Sequence, residues 1–338
     1  GGTLASGNYY LTEDIDLTDT IKIAAGSDVK ICLNGKSISE YYVNNYGTLT
    51  LNNCNAANGK VNTYYNGYNN SVLYGNAVIN NTIFSSTEGT SKISGCIFDH
   101  KFVCMENSEI TGGTFNQTVA VYDHGVITGG YFGGTVASGT VGKFIKGGYF
   151  KIKPDDSLIA DGYAITASGN SNYPYKVVAT HSCNGVTYDK PLDSSFTGGT
   201  LASGNYYLTE DINLTNTIEI SAGSDVKICL NGKSISEYYV NNYGTLTLNN
   251  CNAANGKVNT YYNGYNNSVL YGNAVINNTI FSSTEGTSKI SGCIFDHKFV
   301  CMENSEITGG TFNQTVAVYD HGVITGGYFG GTVASGTV

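Results

Sequence analysis

The chain has 338 residues, of which 44 are Gly and 27 are Tyr, with no Trp, no Arg and a formal net charge of −9. The acidic balance and the lack of Arg disfavour a nucleic-acid-binding surface. A hydrophobic share of 41% is enough to bury a core, which excludes a disordered chain. The sequence contains no apolar run of about 18 residues, so it predicts no segment that spans a membrane.

The largest predicted element is an internal repeat. Residues 1–141 recur as residues 198–338 with four substitutions, all within one short segment, whereas the segment between the copies occurs once. We therefore predict a first module at 1–150, a connector at 151–197 and a second module at 198–338. We expect the chain to be a window on a longer tandem array, so the lack of a signal peptide or membrane anchor carries little information.

The first module begins with an acidic segment. Its carboxylates are Glu13, Asp14, Asp16 and Asp19, and the second copy has Asn at the positions of Asp16 and Asp19. Enzymes that cleave polysaccharides need clustered carboxylates with a basic group or Ca²⁺. A site of that kind would hardly be neutralised in one copy, so we interpret the segment as a solvated entry strand and predict no catalytic residues.

The next segment alternates apolar and polar residues in the manner of β-strands. Val29 and Ile31 in SDVKICLNG are followed about 20 residues later by Leu49 and Leu51 in GTLTLNNC, and Asn34-Gly35 marks a turn between them. This spacing indicates that the two strands occupy neighbouring coils of one structure.

The cysteines are arranged unevenly. Each module carries four and the connector adds Cys183, so one period holds five, and this odd number fits either a partial disulfide framework in an oxidising compartment or buried free thiols. On the coil register, Cys32 lies beside Cys54 and Cys229 beside Cys251, and these are the predicted disulfides. No C-x-x-C motif occurs, and we predict no metal site and no cofactor.

A segment rich in Tyr and Asn follows, YYVNNYGTLTLNNCNAANGKVNTYYNGYNNSVLYGN. Tyr offers an apolar ring with a hydroxyl group, and Asn offers paired donors and acceptors, which suits the binding of sugar rings or protein surfaces. Stacked Tyr and Asn ladders that only stabilise the wall of the fold are the other interpretation. The candidate binding residues are Tyr64, Tyr65 and Tyr68 with their counterparts Tyr261, Tyr262 and Tyr265.

The second half of the module contains a finer repeat of 17 or 18 residues, SKISGCIF, SEITGGTF, GVITGGYF and KFIKGGYF. Parallel strands stack about 4.8 Å apart, so each unit predicts one coil of a β-solenoid whose interior is filled by columns of like residues. The predicted columns are Ile93, Ile110, Ile127 and Ile145, and Phe98, Phe115, Phe132 and Phe150.

The Gly-Gly pairs of these units predict corners where a positive φ or close packing excludes a larger side chain. Cys96 stands at the second position of such a corner, and Cys104 aligns with the inward position of Val121, which favours a buried thiol. The earlier sequence NAVINNTIF places Ile79 and Phe84 in the same relation as the later Ile and Phe columns.

The histidines are weak catalytic candidates. Asp99-His100 and Asp123-His124 are neighbours in sequence, but adjacent strand residues point to opposite faces. His181 lies near Cys183 in the connector, where a Cys-His nucleophile is conceivable, although no oxyanion site can be inferred.

The connector differs in character from the modules. It holds all three prolines, Pro154, Pro174 and Pro191, as expected if stacked coils exclude proline. Its sequence predicts a strand, a turn and a hairpin. Because an end coil exposes unpaired strand edges, we expect the hairpin to cap the module, with a plain linker as the alternative.

The order NGVTYDKPLDSSF, GNYYLTEDIDLTDTIKIAAGSDVKICLNGKSI, GTLTLNNC and repeated I-x-G-G-x-F resembles modules of large cell-surface and adhesin-like proteins of gut and rumen Firmicutes. The resemblance covers nearly the whole period. It implies a right-handed parallel β-helix outside the cell with a role in adhesion or scaffolding, and no catalytic residue. The matched residues are structural and include Leu33, Asn34, Gly35, Gly112 and Gly113.

We therefore expect an all-β parallel β-helix, or β-solenoid, from a bacterial, secreted and surface-displayed repeat protein that serves as a structural stalk or adhesin segment. A carbohydrate-binding solenoid is the alternative, and a polysaccharide lyase or hydrolase ranks third. The expected partners are host or plant glycans, other surface proteins and neighbouring repeats of the same chain.

Overall fold

The computed structural model consists of β-strands, turns and one short 3₁₀ helix, Asp156–Leu158, within the residues that it describes. Those residues are 1–55, 57–69, 71–79, 82–83, 91–104, 108–122, 124–139, 142–251, 256–265, 268–272, 275–276, 279–280, 288–296, 298–301, 305–319 and 321–335. They form two compact units, Gly1–Ala179 and Thr180–Val338. No helix in this part of the chain is long and apolar enough to cross a membrane.

The first unit consists of short strands that stack coil upon coil into parallel sheets. One long sheet contains Gly2–Leu4, Ile15–Asp16, Ile21–Ile23, Ser37–Asn45, Lys60–Gly67, Val78–Ile79, Thr82–Ile83, Ile97–Phe98, Thr114–Phe115, Tyr131–Phe132, Tyr149–Phe150, Tyr163–Asn170 and Tyr173–Ala179. The second contains Gly7–Tyr10, Asp28–Cys32, Thr48–Asn52, Ser71–Leu73, Ser91–Ile93, Ser108–Ile110 and Val126–Ile127. A short third sheet contains Phe102–Cys104, Val119–Val121 and Val136–Ser138.

The second unit repeats this arrangement after an antiparallel pair, His181–Cys183 and Val186–Tyr188. One sheet contains Lys190–Leu192, Gly204–Leu208, Asp225–Cys229, Thr245–Asn249, Ser268–Leu270, Ser288–Ile290, Ser305–Ile307 and Val323–Ile324. The other contains Gly199–Thr200, Ile212–Asn213, Ile218–Ile220, Ser234–Asn242, Lys257–Gly264, Val275–Ile276, Thr279–Ile280, Ile294–Phe295, Phe299–Cys301, Thr311–Phe312, Val316–Val318, Tyr328–Phe329 and Val333–Ser335. The predicted all-β parallel solenoid is confirmed for both units.

The predicted Ile column of the first unit is a hydrogen-bonded ladder. Ile93 pairs with Ile110 and Ile110 with Ile127 in parallel register, and single bridges extend the column through Ile145 to Ile159. The earlier coils follow the same rule, since Val29 to Ile31 pair with Leu49 to Leu51. The repeat length therefore fixes which side chains are vertical neighbours.

The predicted Phe column forms the centre of the same core. The rings of Phe98, Phe115, Phe132 and Phe150 stack in turn, with centroids 4.7, 5.0 and 4.9 Å apart, and all four are buried. Near-parallel stacking follows from the register, because each ring lies directly above the one a coil earlier. Phe84, the predicted start of the column, lies outside the described residues.

The corners behave as predicted. Gly113 has a φ of 98°, and a Cβ there would lie 2.3 Å from the carbonyl oxygen of Gly95. Cys96 occupies the corresponding position with a φ of 69° and a buried side chain. Cys104 is also buried and pairs with Val121, as its alignment predicted.

The connector is divided between the two units, because the boundary between Ala179 and Thr180 falls inside the predicted range 151–197. Its first hairpin, Tyr163–Asn170 with Tyr173–Ala179, ends the first unit, and its second strand pairs antiparallel with Tyr149–Phe150. This hairpin covers the open edge of the last coil, which is the expected capping role.

Pro191 departs from the expectation that stacked coils exclude proline. It lies in the strand Lys190–Leu192, which pairs in parallel with Gly204–Leu208. The strand is the first in its sheet, so proline is tolerated there because one side of an edge strand needs no ladder donor.

Candidate functional site

The Tyr- and Asn-rich segment forms a pair of parallel strands in each unit, Ser37–Asn45 with Lys60–Gly67 and Ser234–Asn242 with Lys257–Gly264. Alternation along these strands turns every second side chain toward solvent. We call these outward side chains, with the Tyr that follows each strand, the tyrosine–asparagine face. Its members are Tyr42, Asn44, Tyr46, Tyr64, Asn66 and Tyr68 in the first unit, and Tyr239, Asn241, Tyr243, Tyr261, Asn263 and Tyr265 in the second.

The rings of the face stack in pairs across the two coils. The centroids of Tyr42 and Tyr64 are 5.6 Å apart, and those of Tyr46 and Tyr68 are 4.9 Å apart with an interplanar angle of 12°. The second unit repeats the two stacks at 5.5 and 4.9 Å. Each face therefore presents two aromatic stacks separated along the strands.

An amide ladder runs between the two stacks. Asn66 Nδ2 donates to Asn44 Oδ1 over 2.8 Å, and Asn263 donates to Asn241 over the same distance. Tyr64 remains 47% exposed beside this ladder. The combination of exposed ring faces and amide groups can pack against an apolar surface while hydrogen bonding to hydroxyl or amide groups beside it.

A β-bulge borders the face in each unit. In the second unit Glu237 and Tyr238 lie opposite the single residue Thr260, and they have φ values of 69° and 47°. Two consecutive bulky residues with positive φ are strained, and such strain clusters at functional positions. The Thr260 hydroxyl donates to the Tyr238 carbonyl oxygen at this point. An open pocket of about 290 Å³ lies here, and its lining comprises Glu237, Tyr238, Tyr239, Asn259, Thr260 and Tyr261.

The structure corrects two of the candidate binding residues. Tyr65 and Tyr262 are fully buried, and each donates its hydroxyl hydrogen bond to a buried serine, Ser71 or Ser268, over 2.7 Å. Tyr65 points inward because it pairs with Val43, which is also an inward residue. Burial raises the pKa of both phenols well above the usual range. Tyr64, Tyr68, Tyr261 and Tyr265 do lie on the outer face.

The two predicted disulfides have different outcomes. Cys32 and Cys54 are joined, with Cα atoms 6.0 Å apart. Cys229 and Cys251 are free thiols with sulfurs 3.3 Å apart, so the predicted second disulfide is absent. Two groups from the connector reach the same point.

These two groups are His181 and Cys183, and together with Cys229 and Cys251 they form what we call the thiol–imidazole cluster. The ligand-type atoms of all four lie within 4.8 Å of one another. His181 Nε2 is 3.0 Å from Cys251 Sγ and 3.3 Å from Cys229 Sγ. In the described part of the chain this is the one place where at least three His, Cys, Asp or Glu side chains meet closely enough to hold a metal ion.

A tight hairpin positions the connector residues of the cluster. His181 and Cys183 are two apart in one strand and share a face of it. The turn that follows is Asn184-Gly185, with φ values of 50° and 79°, the pattern of a two-residue hairpin. The sequence CNGV therefore directs both side chains onto the coil that carries Cys229.

Burial affects the protonation of the cluster. It raises the pKa of the Cys183, Cys229 and Cys251 thiols and lowers the pKa of the His181 imidazole. Without a bound cation the sulfurs are thiols and the imidazole is neutral near pH 7. These pKa shifts disfavour the thiolate form of the cysteines. A Cys-His nucleophile, which the sequence suggested for His181 and Cys183, would require that form.

The remaining candidate groups are dispersed. Glu13, Asp14, Asp16 and Asp19 are all exposed, and Asp14 accepts a hydrogen bond from the backbone of Ser37. This agrees with a solvated entry strand. His100 and His124 are exposed as well, and Asp123 lies outside the described residues.

The cluster was not predicted because its members do not share a metal-ligand spacing within the sequence. The four side chains come from a hairpin, a coil strand and the segment that follows the next strand, and the fold brings His181 to cysteines 48 and 70 positions away. Two features of the sequence point to this cluster. They are the odd fifth cysteine of each period and the pair His181-x-Cys183, whose spacing places both side chains on one face of a strand.

Comparison with protein-family models, with curated proteins and with solved structures finds no match to this chain.

Proposed function

We propose that the chain is a structural segment of an extracellular, surface-displayed repeat protein of the adhesin type, and that it acts without catalysis. The observation that carries this proposal is the continuous parallel register of the coils. Each coil bonds to the next through the backbone and fills its own interior with ladders of Ile, Leu and Phe. Such a module extends by adding coils, which suits a protein that displays a surface away from its attachment point.

The disulfide between Cys32 and Cys54 supports the proposed compartment, because disulfides persist mainly in oxidising surroundings. The exposed tyrosine–asparagine face supports a role in contact with partners, because it repeats identically in the two modules and is not needed to fill the core.

Surface labelling tests the location. Antibodies raised against the purified chain are expected to label intact cells of the producing organism, and brief protease treatment of those cells is expected to remove the label. An internal cytoplasmic protein serves as the control for cell integrity. Labelling that appears only after the cells are permeabilised would contradict the proposal.

The second candidate function is carbohydrate binding by the tyrosine–asparagine face. Paired ring faces on either side of an amide ladder, with a pocket of about 290 Å³ at the bulge, favour it. Sugar rings present both apolar C–H faces and hydroxyl groups, and the face offers a partner for each.

Titration of the full chain against plant and mucin glycans separates the two candidates. Saturable binding should weaken at least tenfold, or about 1.4 kcal/mol, when the outer rings are removed from both units. The required substitutions are Tyr42→Ala, Tyr64→Ala, Tyr239→Ala and Tyr261→Ala.

Tyr131→Ala is the matched control, since Tyr131 is an exposed tyrosine stacked on Tyr149 outside the face. An equal loss in this control, or binding that survives the fourfold variant, would remove the face from consideration. If the chain binds none of the glycans, the structural function is the one that remains.

A further inference from the structure

We infer that His181, Cys183, Cys229 and Cys251 bind one zinc ion, which fastens the connector hairpin to the first coils of the second module. This site goes beyond the proposed function and stands independently of it, because it concerns how the module is held together.

The residue types of the cluster favour zinc. Three Cys and one His are a standard set for structural zinc, which takes four ligands in a tetrahedron. With Zn–S near 2.3 Å and Zn–N near 2.0 Å, neighbouring ligand atoms in a tetrahedron lie about 3.5–3.8 Å apart. In the structure three pairs of these atoms are 3.0, 3.3 and 3.3 Å apart, and no pair exceeds 4.8 Å. Small side-chain rotations would suffice to admit the ion.

Neighbouring residues hold the ligand side chains in place. Asn249 Nδ2 donates to Cys183 Sγ over 3.3 Å, the kind of hydrogen bond that supports a metal thiolate. Asn249 is itself held by Tyr271, whose hydroxyl accepts a second hydrogen bond from the same amide over 2.9 Å. The His181 ring stacks on Tyr207 at 5.5 Å, which fixes the direction of the imidazole. The ligands are thus oriented by neighbours that do not bind the ion.

The first module provides an internal comparison. Cys32 and Cys54 correspond to Cys229 and Cys251 and form a disulfide, and no described residue of the first unit brings a third sulfur or an imidazole beside them. In the second unit the neighbouring ring of Tyr207 is only 7% exposed and stacks on the His181 imidazole of the hairpin. The hairpin therefore both covers the coil and supplies the third sulfur and the imidazole.

Charge and proton balance fit the proposed ion. Zinc binding would displace the three thiol protons to solvent and leave three thiolates and a neutral imidazole around a divalent cation. No electron transfer is involved. A disulfide between two of the sulfurs would instead need an oxidant and would leave one thiol unused.

Cobalt titration of the full chain tests the site. The protein is reduced, freed of metal with a chelator and titrated anaerobically with Co²⁺. The expected result is one equivalent per chain, with the visible bands of tetrahedral cobalt and a near-ultraviolet thiolate charge-transfer band, both abolished by one equivalent of Zn²⁺. Absence of these bands would overturn the inference.

Variants locate the site within the chain. Cys183→Ser should remove at least one thiolate contribution from the spectrum, and Asn249→Ala should weaken zinc binding about 10- to 100-fold. The double variant Cys32→Ser/Cys54→Ser is the matched control and should keep the full spectrum. Loss of the bands in this control, or an unchanged spectrum in Cys183→Ser, would contradict the assignment.

Thiol mapping provides a measurement that does not depend on how the variants fold. Protein isolated without reductant or chelator is alkylated under denaturing conditions and digested, and the peptide carrying Cys183 occurs only once in the chain. The expected finding is alkylated Cys183 together with about one zinc per chain by elemental analysis. A disulfide from Cys183 to Cys229 or Cys251 would overturn the inference.

Discussion

Reduction of the disulfide between Cys32 and Cys54 should destabilise the first unit by a predictable amount. The bridge closes a loop with a sequence separation of 22. The chain-entropy relation for a loop of this length gives about 3 kcal/mol of stabilisation, because the cross-link restricts the unfolded chain. With a urea dependence of about 3 kcal/mol per molar for a domain of this size, the unfolding midpoint should fall by about 1 M.

Urea unfolding in the presence and absence of a phosphine reductant measures this loss, with a chelator present throughout. The chain has 27 Tyr and no Trp, so tyrosine fluorescence and far-ultraviolet circular dichroism report on unfolding. The variant Cys32→Ser/Cys54→Ser should unfold at the reduced midpoint whether or not reductant is present.

The second module supplies the control for the same experiment. Cys229→Ser/Cys251→Ser removes two thiols that form no disulfide, so this variant should still respond to reductant as the parent does. The reasoning fails if the parent midpoint is insensitive to reductant, or if the Cys32→Ser/Cys54→Ser variant still shifts.

Three further substitutions, with Gly133→Ala as a control, test the core, the corners and the inward tyrosine by the same unfolding measurement. Phe115→Ala should cost about 3–5 kcal/mol because it empties the centre of a stacked column, and a loss below about 1 kcal/mol would contradict the packing. Gly129→Ala should cost about 1–3 kcal/mol because its Cβ would lie 2.2 Å from the Thr111 oxygen, whereas Gly133→Ala, with its nearest contact at 3.4 Å, should be tolerated. Tyr65→Phe should cost about 1 kcal/mol by removing a buried hydrogen bond and leave any glycan binding unchanged, so a binding defect would argue against its inward position.

The coil register was predictable because it depends on repetition. When Ile and Phe return every 17 or 18 residues around Gly corners, only stacked coils place them in continuous columns. The structure reproduces the predicted pairs from Ile93 to Phe150. Cys32 and Cys54 followed from the same register, because residues one coil apart at the same corner are neighbours.

Whether each tyrosine side chain points inward or outward was less predictable from the sequence. Adjacent residues such as Tyr64 and Tyr65 point to opposite faces, but tyrosine is compatible with either face, so composition does not choose between them. The inward neighbours Val43 and Val61 indicate the correct alternation. The bulge at Glu40 and Tyr41 obscures it, because one extra residue reverses the alternation along the strand.

The cysteine pairs show why identical sequence does not give identical chemistry in the two modules. The two copies differ at four positions, which lie between residues 16 and 24 and at the corresponding residues of the second copy. None of these positions belongs to the thiol–imidazole cluster or to the disulfide. At the second pair, the hairpin that carries His181 and Cys183 reaches Cys229 and Cys251. Two neighbouring thiols at a corner can be oxidised to a disulfide. Where a third thiol and an imidazole lie beside the pair, a disulfide between any two sulfurs leaves the third sulfur and the imidazole nitrogen out, whereas one tetrahedral cation engages all four groups. The connector residues therefore determine which chemistry is open to the thiols of the coil that they reach.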